Sequence, residues 1–492
     1  MADKKSSGMG WVVALAGLGI NLALGVLYTW SVVTATLTKA FKLGADGLPE
    51  KAAEAGKFVT TTKLPDGTIK LGSAGLKAAV LADHAFNWTA LDALIPYAIA
   101  LLAFGIMMAF AGRIQDRFGP RIVASVGGVF VGAGMILSSF NNMASKADHT
   151  LIILGFGLLT GTGIALAYAC ATPAAVKWFH PSKKGLITGI VVGGFGLASV
   201  YTAPLTTKLI EAYGVSGMFR ILGIAFFVSI IACAQLLQNP PAGYVAPEPA
   251  GFKAKAKTAV AAPANLKCDY TWREMVKTPQ FWLLWFMYAC VAFAGLMMVG
   301  IISKVAVDLF GTPGKATFQE VFLAPSLFGL NRAYWFTVAL AIGNGIGRPI
   351  AGIVSDAIGR TRTMVIVFLA QAILVGWAVG ATTSMNALLL VGAGIGFMYG
   401  ANLTLFPATT YDFFGLKNAG VNYGIVFTAW GIGGSIGNYI AGFAKTFWGG
   451  FGPAYTIAAV LCVIAAGLTV VTKAPRAEVC ATVPASEVGE PA

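Results

Sequence analysis

One arginine stands deep in an apolar run. In WFTVALAIGNGIGRPIAGIVSDAIGR, Arg348 precedes Asp356 by eight residues, about 12 Å at a helical rise of 1.5 Å per residue. An ionised group at that depth in a membrane is costly, and as a rule it faces a polar cavity or a partner, so it marks a candidate functional site. Its planar fork of donors suits a carboxylate held by two parallel hydrogen bonds. The structural alternative is an arginine satisfied by helix carbonyls or reaching back towards Asp356. Asn344 lies one turn earlier, on the same helix face. Its amide can donate to a carboxylate or a substrate hydroxyl, although Asn also serves as interhelical glue in membrane helices.

A second set of residues has spacing suited to gating rather than binding. GRIQDRFGPR places Gly112, Asp116, Arg117, Gly119 and Arg121 in one loop, and GIVSDAIGRTR places Gly352, Asp356, Gly359 and Arg360 in another. The Gly, Asp and Gly positions repeat at a constant offset of 240. The second glycine of each trio permits a tight turn. Each Asp can accept from a helix N-terminus or pair with an Arg in one state of a cycle. The apolar runs hold no acid–base pair, metal cluster or nucleophile–base constellation, which argues against an enzyme and against a cofactor. The runs GFGLLTGTG and GIGGSIG match nucleotide loops only superficially. They lie mid-span and read as close-packing faces between helices.

The elements that must position these residues are membrane helices. The chain is 57% hydrophobic and only 11% charged, against about 25% charged in soluble domains. Apolar blocks approach or exceed the roughly 20 residues that cross a bilayer. Twelve spans are predicted, near 11–38, 88–111, 121–141, 150–177, 186–207, 218–238, 280–303, 333–354, 363–382, 386–412, 420–444 and 453–472. The organisation expected is an N-terminal six-helix bundle (1–238) with an external insert at 42–86, a Pro/Ala/Lys-rich cytoplasmic linker (239–278), a C-terminal bundle (279–472) and a cytoplasmic tail (473–492). The insert reads as a tolerated loop insertion or a lid. No signal peptide is evident, and the six cysteines form no disulfide or metal pattern. The net charge of +14 is dispersed among loops. It reads as positive-inside bias with both termini cytoplasmic in a prokaryotic-type inner membrane, not as a nucleic-acid surface. The repeat extends beyond the motif, because Gly185 and Gly189–Val191 recur as Gly420 and Gly424–Val426 at an offset of 235.

Twelve spans with this duplicated motif resemble the major facilitator superfamily. Four further stretches, KTPQFWLLW, GRPIAGIVSDAIGR, NYGIVFTAW and WFHPSKKG, resemble the oxalate/formate antiporter family and the related monocarboxylate transporters. The resemblance implies an all-α fold of two pseudo-symmetric six-helix bundles and places the family's substrate-binding Arg on Arg348. It also implies that Tyr28, Tyr168, Tyr399 and Phe427 line the binding cavity.

One departure is informative. The resemblance puts Trp430 where oxalate exchangers carry a second cation, a Lys. One buried cation balances one carboxylate, whereas a second carboxylate without a partner costs several kcal/mol. The expected cargo is therefore a small monocarboxylate such as lactate, pyruvate, formate or acetate, with Trp430 restricting the volume. Proton symport is expected, although no Asp, Glu or His lies deep in a span and His84, His149 and His180 fall in loops. The alternatives are an oxalate/formate-type exchanger and an anion channel. The protein is expected to act as a monomer in the bilayer.

Overall fold

The computed structural model of the chain describes residues 2–38, 61–63, 69–71, 88–140, 149–180, 184–241, 244, 246, 269–310, 332–381, 385–415 and 418–475. Twelve long helical segments carry the fold. In chain order they are α1 (Gly8–Leu37), α2 (Ala90–Phe118), α3 (Pro120–Ser138), α4 (His149–Val176), α5 (184–213), α6 (215–236), α7 (Pro279–Phe310), α8 (Arg332–Ile358), α9 (360–381), α10 (Met385–Phe414), α11 (Ala419–Phe447) and α12 (Gly452–Val471). Helix is dictated by the solvent: lipid offers no partner to a free backbone group, so each span closes its own hydrogen bonds. Large apolar side chains such as Ile353, Trp377 and Leu390 lie on the outside of the bundles, where hydrocarbon replaces water.

Local sequence sets the ends. Thr89 and Asp92 form a reciprocal capping box at the start of α2, with Asp92 N–H donating to Thr89 Oγ1 at 3.1 Å and Thr89 N–H to Asp92 Oδ2 at 3.0 Å. Between α2 and α3 only Gly119 leaves the helical region, at φ 81°, and between α8 and α9 only Gly359 does, at φ 94°. The two motifs are therefore not loops, as the sequence suggested. Gly112, Asp116 and Arg117 occupy the last two turns of α2, Gly352 and Asp356 those of α8, and Arg121 and Arg360 open the helices that follow. A single glycine suffices for the break because its backbone region is closed to residues with a Cβ.

Two further boundaries differ from expectation. Helix α7 runs on to Phe310, about two turns beyond the predicted end. Its added turns place Asp308 between Lys304 at 2.9 Å and Lys445 of α11 at 2.8 Å; a polar last turn hides a helix end from a hydropathy reading. The linker region ends in an ordered segment, 269–278, with a one-turn helix at Trp272–Met275 capped by Thr271 and Glu274. Its earlier part at 247–268, the tail after 475 and most of the insert lie outside the described residues. Within the insert two short strands, β1 (Thr61–Lys63) and β2 (Ile69–Leu71), pair antiparallel with Thr61 opposite Leu71.

Helices α1–α6 and α7–α12 form two bundles that meet along α1 with α7, α2 with α11, and α5 with α8. The second and third of these pairs are counterparts under the internal repeat. Inside the second bundle, α8 and α10 approach through Gly343, Gly347, Gly396 and Gly400. A Cβ on any of the four would collide with a carbonyl of the facing helix, at Ala393, Phe397, Leu340 and Asn344 respectively. That contact fixes the rotation of α8, and with it the direction in which Asn344 and Arg348 project.

Candidate functional site

One residue round α8 from each glycine of that contact, about 100° at 3.6 residues per turn, Asn344 and Arg348 leave the α10 side, and Arg348 projects towards the other bundle. Its side chain is 6% exposed, and it is the only buried charged side chain among the described residues. Nη1 donates to the Val192 carbonyl on α5 at 2.8 Å, and Nε donates to Asn344 Oδ1 at 3.2 Å. Gly196, one turn beyond Val192, lies flat against the guanidinium; a Cβ there would sit 3.3 Å from Nη2. Arg348 thus does not reach back to Asp356. Asn344 is fully buried, and with its oxygen taken by Arg348, its Nδ2 has no hydrogen-bond partner. An unpartnered buried donor is costly, and the neighbour that this amide meets is the Tyr28 hydroxyl.

Around this pair lies a shell of aromatic rings drawn from both bundles. The hydroxyls of Tyr28 (α1) and Tyr399 (α10) are 2.8 Å apart, and the indole N–H of Trp430 (α11) donates to Tyr399 at 2.9 Å. The Tyr28 hydroxyl faces both Arg348 and Asn344. Phe427 stacks on Trp430 with centroids 4.8 Å apart, and Phe104 of α2 meets the indole edge-on at 5.0 Å. Tyr168 of α4 packs on Phe104 at 5.6 Å and on Phe195 at 5.4 Å. Arg348, Asn344, Tyr28, Tyr168, Tyr399, Phe427 and Trp430 therefore share one place between the bundles, although they come from five helices.

Other members of the shell were not singled out in the sequence. Phe104, Phe195, Tyr288 and Tyr423 complete it, with Tyr288 and Tyr423 hydroxyls 3.3 Å apart and Tyr423 packed on Phe427 at 5.8 Å. Aromatic residues in apolar helices carry no periodic mark of their own. The one available signal was GIVVGGFG on α5, where Gly196 admits the guanidinium and Val192 supplies the carbonyl.

The motif residues lie apart from this cluster, at the end of the bundles where α2 passes into α3 and α8 into α9. Arg360 pairs there with Asp356 at 2.7 Å and with Asp412 of α10 at 3.2 Å, and also donates to Ser355. Towards the other end, Ser31 (α1), Ser303 (α7) and Thr337 (α8) bond in a ring at 2.8, 2.8 and 3.2 Å, all three buried. That ring joins the two bundles without using a charge.

The sequence pattern of the Major Facilitator Superfamily matches residues 71–334 and 328–487. The chain belongs to that superfamily. The oxalate:formate antiporter of Oxalobacter formigenes is 30% identical over 362 residues, which span 73% of this chain and 76% of the antiporter. Apicoplast pyruvate carrier 1 of Toxoplasma gondii is 22% identical over 471 residues, 86% of this chain and 82% of the carrier. In architecture the chain is similar to the xylose transporter of E. coli in a partially occluded inward-open conformation, with a TM-score of 0.57 and 12% identity over 93% of this chain and 97% of that one. This chain is accordingly an integral membrane transporter, not an enzyme. The Arg348 cluster lies where the two repeats meet, which is where substrate sites of facilitator folds lie.

Proposed function

We propose that this facilitator carries a small monocarboxylate of the lactate, pyruvate, formate or acetate class, by alternating access of its two bundles around Arg348. The carrying observation is one buried cation beside an unpartnered amide donor inside an aromatic shell. Arg348 binds the carboxylate, Asn344 and Tyr28 orient it, and the rings of Phe104, Tyr168, Phe195 and Phe427 exclude water and limit size. A dicarboxylate would bring a second charge to a shell whose described residues offer no second cation, at a cost of several kcal/mol. The name of the Toxoplasma relative supports a monocarboxylate. The name of the Oxalobacter relative supports a second reading, exchange of oxalate against formate.

Coupling follows from the same inventory. Among the described residues no Asp, Glu or His is buried, which favours a proton that crosses with the substrate rather than on a side chain. The orientation is taken as both termini cytoplasmic in an inner membrane, on the distribution of Lys and Arg, and the protein is taken to act as a monomer. The motif residues of α2–α3 and α8–α9 then gate the cytoplasmic mouth.

The test is a competition panel of mono- and dicarboxylates against labelled lactate in proteoliposomes. Lactate or pyruvate should compete best, and oxalate competing more strongly than either would overturn the assignment. Saturable uptake with counterflow is expected, whereas non-saturating flux would indicate a channel. Arg348→Lys keeps the charge and loses the fork, and uptake should fall at least about tenfold, in line with the worth of one charge-assisted hydrogen bond. Unchanged uptake would move the site elsewhere.

A further inference from the structure

We propose that Trp430 is a positioning residue: its indole N–H sets the direction of a hydrogen-bond chain that makes Tyr28 a donor to the bound anion. The proposal rests on the reading of the Arg348 site given above, and it assigns Trp430 a role other than filling space.

The chemistry of the three groups decides the direction. An indole N–H can only donate. Trp430 Nε1 lies 2.9 Å from the Tyr399 oxygen, so that oxygen accepts. Tyr399 has one proton of its own, and its other neighbour in hydrogen-bond range is the Tyr28 oxygen at 2.8 Å. Either direction between the two hydroxyls leaves one proton over, and both tyrosines are buried, Tyr28 at 2% and Tyr399 at 1% exposed. If Tyr28 donated to Tyr399, the spare proton would lie on Tyr399, away from the Arg348 site; if Tyr399 donates to Tyr28, it faces that site, where a bound anion receives it. Leaving a buried donor unmade is the expensive choice, so with the anion bound the chain runs from Trp430 to Tyr399 to Tyr28.

What it points towards consists of donors. Arg348 has no acceptor atom, and Asn344 has already given its oxygen to Arg348 Nε at 3.2 Å and presents a free Nδ2. Three donors, from Tyr28, Asn344 and Arg348, converge there, and the two oxygens among them are already engaged, Tyr28 by Tyr399 and Asn344 by Arg348. That is an anion hole, completed by the tyrosine only because the indole holds the chain in one direction. The indole itself is fixed by Phe427 stacked at 4.8 Å and by Phe104 edge-on at 5.0 Å. With a phenyl ring in place of the indole, Tyr399 would be free to accept from Tyr28, and the last donor would turn away from the anion.

Trp430→Phe keeps an aromatic ring and removes the N–H. The half-saturation concentration for lactate should rise about tenfold, the value of one hydrogen bond to a charged group, with maximal rate changed much less. The discriminating readout is a double-mutant cycle with Tyr399→Phe, which breaks the same chain at its middle. In the double variant the two losses should not add, because both end at the same proton. Additive losses would mean that Trp430 acts through packing and would overturn the proposal, as would an unchanged affinity in Trp430→Phe. Monodispersity in detergent is checked for each variant. Should Tyr399→Phe fail to fold, Tyr28→Phe takes its place in the cycle with the same expectation. Wild-type protein that transports lactate through Arg348, yet is indifferent to Trp430→Phe, would sink the chain and leave the transport assignment standing. Wild-type protein with no carboxylate uptake would remove both.

Discussion

The two copies of the motif diverged in what holds them. Both break on one glycine with positive φ, Gly119 and Gly359. Beyond that, the offset of 240 pairs Pro120 with Arg360 and Gln115 with Ser355. In the second copy Arg360 is bonded to Ser355, Asp356 and Asp412, tying α8 and α9 to α10 inside one bundle. In the first copy a proline stands where that arginine would be. Asp116 makes no ion pair among the described residues, and Gln115 Nε2 is buried without a partner. One of its three arginines reaches across instead: Arg113 lies over the ring of Trp272 at 5.2 Å, on the segment that follows the linker. That segment is docked on the second bundle, with Tyr270 N–H donating to the Phe414 carbonyl at 3.0 Å and Asn418 and Asn422 donating to the Tyr270 carbonyl at 3.0 and 2.9 Å. One copy braces its own bundle; the other leans across to its neighbour.

The largest effect should come where the copies agree. Gly119→Ala and Gly359→Ala each force a side chain into a backbone region nearly closed to it, at a cost of about 1–3 kcal/mol. Both variants should melt earlier in detergent and lose uptake in parallel; a loss confined to one copy would break their equivalence. Next comes Trp272→Ala, which removes the contact across the bundles. A partly exposed cation–π contact is worth about 0.5–1 kcal/mol. Maximal transport should shift about two- to fivefold, read in proteoliposomes, with lactate affinity unchanged. Smallest is Asp412→Asn, since its partner Arg360 keeps Asp356 and exposed pairs contribute under about 1 kcal/mol. A small drop in melting temperature that vanishes in high salt would sharpen the comparison; a large salt-independent drop would contradict it.

Much of this molecule was written in its sequence, for identifiable reasons. Arg348 stood out because the only charge between Arg332 and Asp356 has no cheap explanation in an apolar helix, and Asn344 followed from one helical turn. The twelve spans were visible as hydrophobic blocks, including α11, whose Asn, Gly and Lys445 dilute its hydropathy because it faces its partner α2 rather than lipid. The helical character of the motif was hidden, since Gly, Asp and Arg read as loop while the backbone needed only Gly119 or Gly359 to turn. Phe104, Phe195, Tyr288 and Tyr423 were hidden for the opposite reason: ring contacts across four helices leave no local trace. So too with Tyr270 and Trp272, whose docking depends on Phe414, Asn418 and Asn422 far along the chain. Trp430 was read as bulk, and only its distance to Tyr399 shows that its nitrogen has a partner.

The isolation of Arg348 also has an electrical consequence. Membrane voltage acts on whatever charge is displaced through the field, by about 2.3 kcal/mol per elementary charge per 100 mV. Arg348 is the only buried charge among the described residues, so a monoanion that crosses with a proton leaves the moving core at one positive charge, the same as a vacated site. The loaded and return halves of the cycle should then feel a potassium-diffusion potential in opposite senses and to the same extent, in proportion to how far the guanidinium travels. Exchange of one bare monoanion for another would instead pass through a neutral core in both directions.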